Sequence, residues 1–350
     1  MKFSSRILHW YSINQRNLPW RSSKEAYKIW ISEIILQQTR VAQGLSYYTN
    51  FISTFPNIKD LALAKEEDVL KLWQGLGYYS RARNIHFTAK LINSELKGHF
   101  PDNYKDLLKL KGVGPYTAAA ISSICYNEKR AVVDGNVYRV LARVFNIKTP
   151  INSTKGIKEF QELADSLISE KDPGDYNQGL MEIGATVCTP KKTDCSVCPL
   201  QTICLALSKG VVSDLPVKEK KLKVRNRYIN YYCLEQNHQI IMNKRVKKDI
   251  WQNLYDFPYD EYKSEEDLTK EHRSKHLISL VGKNECAIEK TRFYKHKLSH
   301  QLLNIKVQYI KIENGVRLNQ NLRTKNEILK LPVPKPIEDF LMEILKTNNI

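Results

Sequence analysis

LLKLKGVGPYTAAAISSICYNEKRAVVDGNVYRVLAR, residues Leu107–Arg143, decides how the chain is read. Leu107, Leu108 and Leu110 give an apolar side to a short amphipathic helix predicted over Tyr104–Lys111. Gly112-Val113-Gly114 predicts a tight turn. Pro115 suits the first position of a second helix, where its missing N–H costs nothing. Thr117, Ala118, Ala119 and Ala120 are small, so the second helix can lie close to the first. The product is a helix–hairpin–helix, predicted over 104–126. Its glycines, Gly112 and Gly114, bring backbone close to a ligand, and its second helix points N-terminal amides outward, which makes an anion site. On Gly112-Val113-Gly114 alone, a turn between two core helices is the plainer reading. Asp134, just after the hairpin, and the rest of the chain shift that balance.

The chain has 350 residues, room for two domains, and its 55 Lys and Arg against 37 Asp and Glu give a formal charge of +18. Basic residues outnumber acidic ones in both halves, so both can lie on one polyanion, and nucleic acid is the expected partner. A Lys-rich proteome would produce the same excess, so charge alone leaves the partner undecided. Met1–Trp20 has no apolar core of a signal peptide, and no apolar run is long enough to span a membrane. Four of the seven cysteines fall between Cys188 and Cys204, while Cys125, Cys233 and Cys286 are scattered. That pattern predicts one metal site in a reducing cytoplasm, not a disulfide framework.

Outward from the hairpin, the N-terminal side is helical. Ser22 and Glu25 resemble a capping box before AYKIWISEIILQQT, a helix apolar nearly all round and therefore expected to be buried. Glu33 sits in its middle, where a carboxylate is costly unless paired, protonated or functional. Ile29 and Trp30 share its face one turn back and Gln37 lies one turn ahead, which favours function over a structural ion pair. The loop Gly75-Leu76-Gly77-Tyr78-Tyr79-Ser80-Arg81 suits close approach to a nucleic acid, with Leu76 or Tyr78 as wedge or stacking platform. It reads equally as a helix C-cap with aromatic core residues.

Beyond the hairpin, Asp134 is placed to cap the helix carrying Val137, Val140, Leu141 and Val144. A further helix over Asn177–Val187 holds Glu182 and runs into Cys188-x6-Cys195-x2-Cys198-x5-Cys204. Four thiolates in so short a loop can surround one zinc or one [4Fe–4S] cluster. Residues 211–226 read as a Lys-rich linker after a helical domain over 1–210. From 227 to 350 the texture becomes α+β: strand-like runs at Tyr228–Leu234 and Gln239–Met242, two more around Lys297-Leu298-Ser299-His300, and a helix near the C-terminal end.

SEIILQQT with Glu33, GLGYYSRARN, LKGVGPYTAAAI, VVDGNVYRVLAR and the four-Cys loop occur together and in order. That set resembles the helix–hairpin–helix DNA glycosylase superfamily and, within it, the A/G-specific adenine DNA glycosylases (MutY). The resemblance implies a multidomain fold: an all-α glycosylase domain with an iron–sulfur loop, and a C-terminal α+β Nudix-like domain lacking the hydrolytic box. It implies removal of adenine paired with 8-oxoguanine or guanine in duplex DNA by a monomer in a bacterial cytoplasm, associated with the nucleoid and not with a membrane. Glu33 would be the acid and Asp134 the anion that supports an oxocarbenium, with Tyr116, Asn136 and Glu182 assisting. Tyr116 stands where bifunctional relatives carry a Schiff-base lysine, which points to hydrolysis. Trp20 and Arg21 would line the base pocket, and Gln38, Thr39, Leu76 and Tyr78 would contact the opened duplex. Gly112 and Gly114 would grip a phosphate. Leu298, Ser299 and His300 occupy the place of an aromatic-Ser-His element that reads 8-oxoguanine, with Leu298 in place of the aromatic. Cys188, Cys195, Cys198 and Cys204 would hold a [4Fe–4S] cluster. The rival readings are an endonuclease III-like lyase, which Tyr116 disfavours, and a lesion sensor without catalysis, which has no use for a buried Glu33.

Overall fold

The computed structural model describes residues 2–219, 224–269, 275–282, 287–312, 318 and 321–347. Cys286 and residues 220–223 of the expected linker lie outside them. The chain divides into two compact units, Met1–Leu63 with Asn84–Lys220, and Ala64–Arg83 with Lys221–Ile350. Its helices up to the linker are α1 (Phe3–Asn14), α2 (Ala26–Leu36), α3 (Val41–Thr54), α4 (Ile58–Leu63), α5 (Glu66–Leu72), α6 (Ser80–Glu95), α7 (Tyr104–Leu107), α8 (Pro115–Tyr126), α9 (Gly135–Val144), α10 (Thr154–Leu167), α11 (Pro173–Thr186) and α12 (Leu205–Ser208).

The hairpin forms where the sequence places it. Asn103 caps α7 by accepting from the Asp106 amide at 3.0 Å. α7 ends at Leu107, shorter than the predicted Tyr104–Lys111, because Leu108–Lys111 turn toward Gly112 with three-residue hydrogen bonds such as Leu110 N to Leu107 O. Pro115 opens α8 as expected. The capping box expected at Ser22 and Glu25 is absent. Ser22 instead donates to the Pro19 carbonyl at 2.8 Å, drawn there by the 3-10 turn Pro19–Arg21, and Glu25 itself precedes α2.

One core of the first unit gathers Ile7 of α1, Val137 and Leu141 of α9, Phe160 of α10, and Tyr176, Leu180 and Ile183 of α11. Each such side chain, fully buried, contributes roughly 1.5–3 kcal/mol. Glycines let α11 press against its neighbours. A Cβ at Gly179 would stand 2.9 Å from Ile7, and one at Gly184 would stand 2.5 Å from the Asn136 Cβ. The second contact sets α11 against the start of α9, and so against Asp134.

In the second unit the strands are β1 (Arg225–Gln236), β2 (Gln239–Ile241), β3 (Asn243–Lys244), β4 (Tyr255–Asp256), β5 (Tyr259–Tyr262), β6 (Ile288–Lys297), β7 (Gln301–Lys311) and β8 (Leu322–Thr324). The main sheet runs β6-β7-β1-β2-β8, with β5 also pairing β1, and β3 pairs β4 separately. β1 and β7 are parallel, from Arg225 opposite Gln301 to Glu235 opposite Lys311. Asn237 and His238, with φ of 50° and 61°, make the two-residue turn between β1 and β2, the left-handed geometry that matches strand twist. The helices here are α13 (Glu265–Thr269), α14 (Lys275–Val281), α15 (Lys325–Ile328) and α16 (Lys335–Thr347). Tyr232, Leu234 and Ile310 on one sheet face pack with Leu277 and Val281 of α14. The result is the α+β architecture that the change of texture predicts.

Candidate active site

α2 is buried on nearly every side, from Tyr27 through Ile35, and carries Glu33 into the wall of a cavity. Burial lifts the Glu33 carboxyl to about 7, with a hydrogen bond from Tyr116 opposing the rise and the charge of Asp134 reinforcing it. At neutral pH a substantial fraction of Glu33 therefore holds its proton. Burial and the neighbouring carboxylates push the Tyr116 phenol well above its usual range, so it stays a donor. Its hydroxyl also points at the Met181 sulfur, 3.5 Å away.

Asp134 caps α9. One of its oxygens accepts from the amides of Asn136 and Val137 at 2.9 and 2.8 Å, and the other from the Asn136 side chain at 2.8 Å. Burial raises its carboxyl above the ordinary range, and these three donors pull the other way, toward the anion. Both the structural role, a helix cap, and the functional placement in the cavity wall are met by this one residue. Asn136 is held in turn by Arg139, which donates to its Oδ1 at 2.9 Å, to the Gly184 carbonyl and to the Cys188 carbonyl, both at 2.6 Å.

Glu182, expected to assist, stands on the wall of the same cavity. Burial alone would raise its carboxyl, yet hydrogen bonds from Arg16 and Arg21 hold it down at about 2. Both guanidiniums grip it two-pronged, with contacts from 2.6 to 3.1 Å, and the Arg16 amide adds a bond at 3.1 Å. Glu182 is thus an anion that fixes two arginines and cannot exchange protons near neutrality.

These residues meet in one cavity of ≈ 170 Å³, against the roughly 10–15 Å³ that admits one water on the same measure. Trp20, Arg21, Ile29, Glu33, Thr39, Tyr116, Asp134, Asn136 and Glu182, all read from the sequence except Ile29's lining role, stand on its wall. Among the lining residues that escaped that reading are Arg16, Gln178, Met181 and Ala185. Gln178, Met181, Glu182 and Ala185 are spaced as one face of a helix, a pattern that was available in the sequence. Arg16 follows α1 in irregular chain and left no such signal. Gln38, exposed and at φ 58°, does not line the cavity but lies in the turn that follows α2.

The other expected contact residues are distributed by element. Gly112 and Gly114 are exposed at the hairpin. Gly112 has φ 82° and its missing Cβ would strike the Asn84 side chain, whereas Gly114 has an ordinary φ of −91° and open space above it. In the second unit Leu76 is buried and Tyr78 exposed. The Tyr78 hydroxyl contacts the Ser299 hydroxyl. Leu298 and Gln301 close the turn between β6 and β7 through Leu298 N to Gln301 O at 2.8 Å, leaving Ser299 and His300 exposed.

Cys188, Cys195, Cys198 and Cys204 line a second, smaller cavity of the first unit, and none is in a disulfide. Arg143 reaches the Cys188 sulfur at 3.2 Å and ties the loop by donating to the carbonyls of Thr189 and Val212, both at 2.9 Å. Among the described residues no three His, Cys, Asp or Glu side chains are spaced to hold a single ion. No helix among them is long and apolar enough to cross a membrane.

Residues 31–165 match the model of the HhH-GPD superfamily base excision DNA repair proteins, and residues 230–343 match that of the NUDIX domain. An adenine DNA glycosylase of Buchnera aphidicola subsp. Schizaphis graminum is 37% identical over 353 residues, 98% of this chain and 99% of that protein. The human adenine DNA glycosylase is 45% identical over 213 residues, 58% of this chain and 39% of its own length. Among solved structures, a thermostable thymine-DNA glycosylase superposes with a TM-score of 0.54 at 31% identity, covering 59% of this chain and 95% of that one. An endonuclease III–DNA complex shares the fold at a TM-score of 0.51 and 19% identity, covering 59% of this chain and 94% of that one.

Proposed function

The chain belongs to the adenine DNA glycosylase family of base excision repair, with DNA as its partner, and from that premise we propose that its substrate is adenine paired with 8-oxoguanine or guanine. The observation that carries this reading is a buried Glu33, its carboxyl lifted to about 7, beside Asp134 and Tyr116 in one cavity. The reaction breaks the bond from C1′ of the sugar to N9 of adenine. Water adds its hydroxyl to C1′, and the base leaves with a proton. Adenine is a poor leaving group until protonated, and Glu33 supplies the proton at N7. The sugar becomes an oxocarbenium, and Asp134 is the anion beside it. This is the two-carboxylate logic of glycoside hydrolysis. Tyr116 donates to Glu33 and orients it, and no lysine is present at that position to form an imine.

To reach this cavity the adenine leaves the duplex, so the enzyme flips its target. Trp20 and Arg21 receive the base, and Arg21 is fixed for that task by Glu182. Gln38 and Tyr78 fill the gap, the amides of Gly112 and Gly114 bind a phosphate beside it, and Leu298, Ser299 and His300 face the opposite base, while Leu76, buried in its own unit, supports the loop instead of entering the gap. Cys188, Cys195, Cys198 and Cys204 fit a [4Fe–4S] cluster, which takes one thiolate per iron and so needs thiols around a shared cavity. Held by these four thiols, such a cluster would cross-link the loop 188–204 onto itself. The protein acts as a monomer.

Single-turnover cleavage of duplexes with adenine opposite 8-oxoguanine tests this. Glu33→Gln and Asp134→Asn should each abolish adenine release while duplex binding persists, and normal rates in either would overturn the assignment. A thymine-glycol duplex should be left intact, and borohydride should trap no covalent adduct. For the cluster, the purified protein should be brown and carry about four irons per chain; a colourless protein with one zinc per chain would exclude it.

A further inference from the structure

The segment Ala64–Arg83, which carries Leu76 and Tyr78, is built into the second unit by a row of polar contacts. Glu67 pairs with Lys244 at 2.8 Å and accepts from the Tyr255 hydroxyl at 2.7 Å. Glu66 accepts from the Asn253 side chain at 2.5 Å. Lys71 donates to the Leu331 carbonyl at 3.0 Å, and Gln74 accepts from the Val333 amide at 3.1 Å. Arg83 donates to the Gln252 carbonyl at 2.8 Å. The segment is thereby held at both ends and in the middle.

Between these anchors the loop is strained. Gly75 and Gly77 have φ of 96° and 71°, and Tyr78, an aromatic residue, has φ 46°. A bulky side chain in the left-handed region persists only where the surroundings impose it. Trp73, wholly buried, donates to the Gly77 carbonyl at 3.1 Å, and Arg81 lies over the rings of both Trp73 and Tyr78. The consequence is that Tyr78 projects with its hydroxyl on Ser299, in the turn between β6 and β7.

We propose that Glu67, with Lys244 and Tyr255, is a positioning residue: it docks α5 on the β3–β4 pair and so holds the loop Gln74–Ser80 against the Leu298–His300 turn, making one rigid reading surface of two distant stretches. Glu67 touches neither the reacting base nor the loop itself and acts through α5. The inference rests on the reading of the loop at Tyr78 as filling the gap that adenine leaves and of the Leu298–His300 turn as facing the opposite base.

The test compares wild type, Glu67→Lys and the swapped pair Glu67→Lys with Lys244→Glu, each as full-length protein. Two readouts are taken: hydrogen exchange of the 74–80 amides in the free protein, and the ratio of single-turnover rates on adenine opposite 8-oxoguanine and opposite guanine. Charge reversal places two lysines together, so exchange should quicken and the rate ratio fall, each about fivefold, and the swap should restore both. Unchanged exchange in Glu67→Lys overturns the clamp, as does a loss that the swap leaves in place. If exchange responds and recovers but wild type shows no preference between the two duplexes, the clamp stands and the assignment of the opposite base falls.

Discussion

A carboxyl with a pKa near 7 inside a protein has consequences beyond catalysis. Glu33 is lifted from 4.5 to about 7 by burial, so the folded state holds its proton more tightly than the unfolded chain does. Stability from this group is fully present below about 4.5 and is lost as pH rises through about 7, a difference of about 3 kcal/mol. Glu33→Gln should therefore outlast wild type in urea at pH 8 by about that amount and match it near pH 4.5. Equal denaturation midpoints at pH 8 would show that Glu33 is not buried as a free acid. The same ionisation should make the single-turnover rate fall about tenfold per pH unit above 7, since the acid form is the one consumed. Asp134→Asn behaves differently. Asparagine keeps an oxygen for the amides of Asn136 and Val137 but turns an NH2 toward the Asn136 side-chain donor, so stability should fall by about 1–3 kcal/mol while turnover is lost. A variant that unfolds instead would assign Asp134 to structure alone.

At the scale of elements, the hairpin glycines separate conformation from contact. Gly112→Ala meets a positive φ and the Asn84 side chain at 2.7 Å, so it should destabilise the protein by about 1–3 kcal/mol. Gly114→Ala meets open space at an ordinary φ and should leave the melting temperature nearly unchanged, yet weaken duplex binding by crowding the amides that face outward. Differential scanning calorimetry with a binding titration distinguishes them, and equal melting losses in both would remove the distinction. The hairpin, the buried α2 and the β1–β2 turn were legible because each is local: a glycine pair, an apolar run, two strand-like stretches a few residues apart. The parallel pairing of β1 with β7 was not, since Arg225 and its neighbour Gln301 are joined only through space. Nor was the grip of Arg16 and Arg21 on Glu182, where three charged letters in separate elements carry no shared period. The shortened α7 and the missing capping box show the reverse error, local signals overruled by neighbouring turns.

For the whole molecule, a formal charge of +18 on a DNA enzyme makes affinity depend on salt. Duplex binding should weaken steeply between low and physiological ionic strength, with a slope that reports the number of phosphates neutralised. A flat salt response would mean that the excess lysine reflects composition and not contact. The second unit also has a topological property. It is assembled from Ala64–Arg83 and from Lys221–Ile350, with the chain between them folded into the first unit. Closing so long a loop costs entropy that grows only slowly with its length, but the cost falls before the contacts that repay it exist. During synthesis α5 leaves the ribosome well before its docking partners Lys244 and Tyr255, so it waits with an unsatisfied face until the last third of the chain arrives. A fragment ending at residue 220 would keep it in that condition permanently and should be cut by proteases between Leu63 and Arg83, where the intact chain resists.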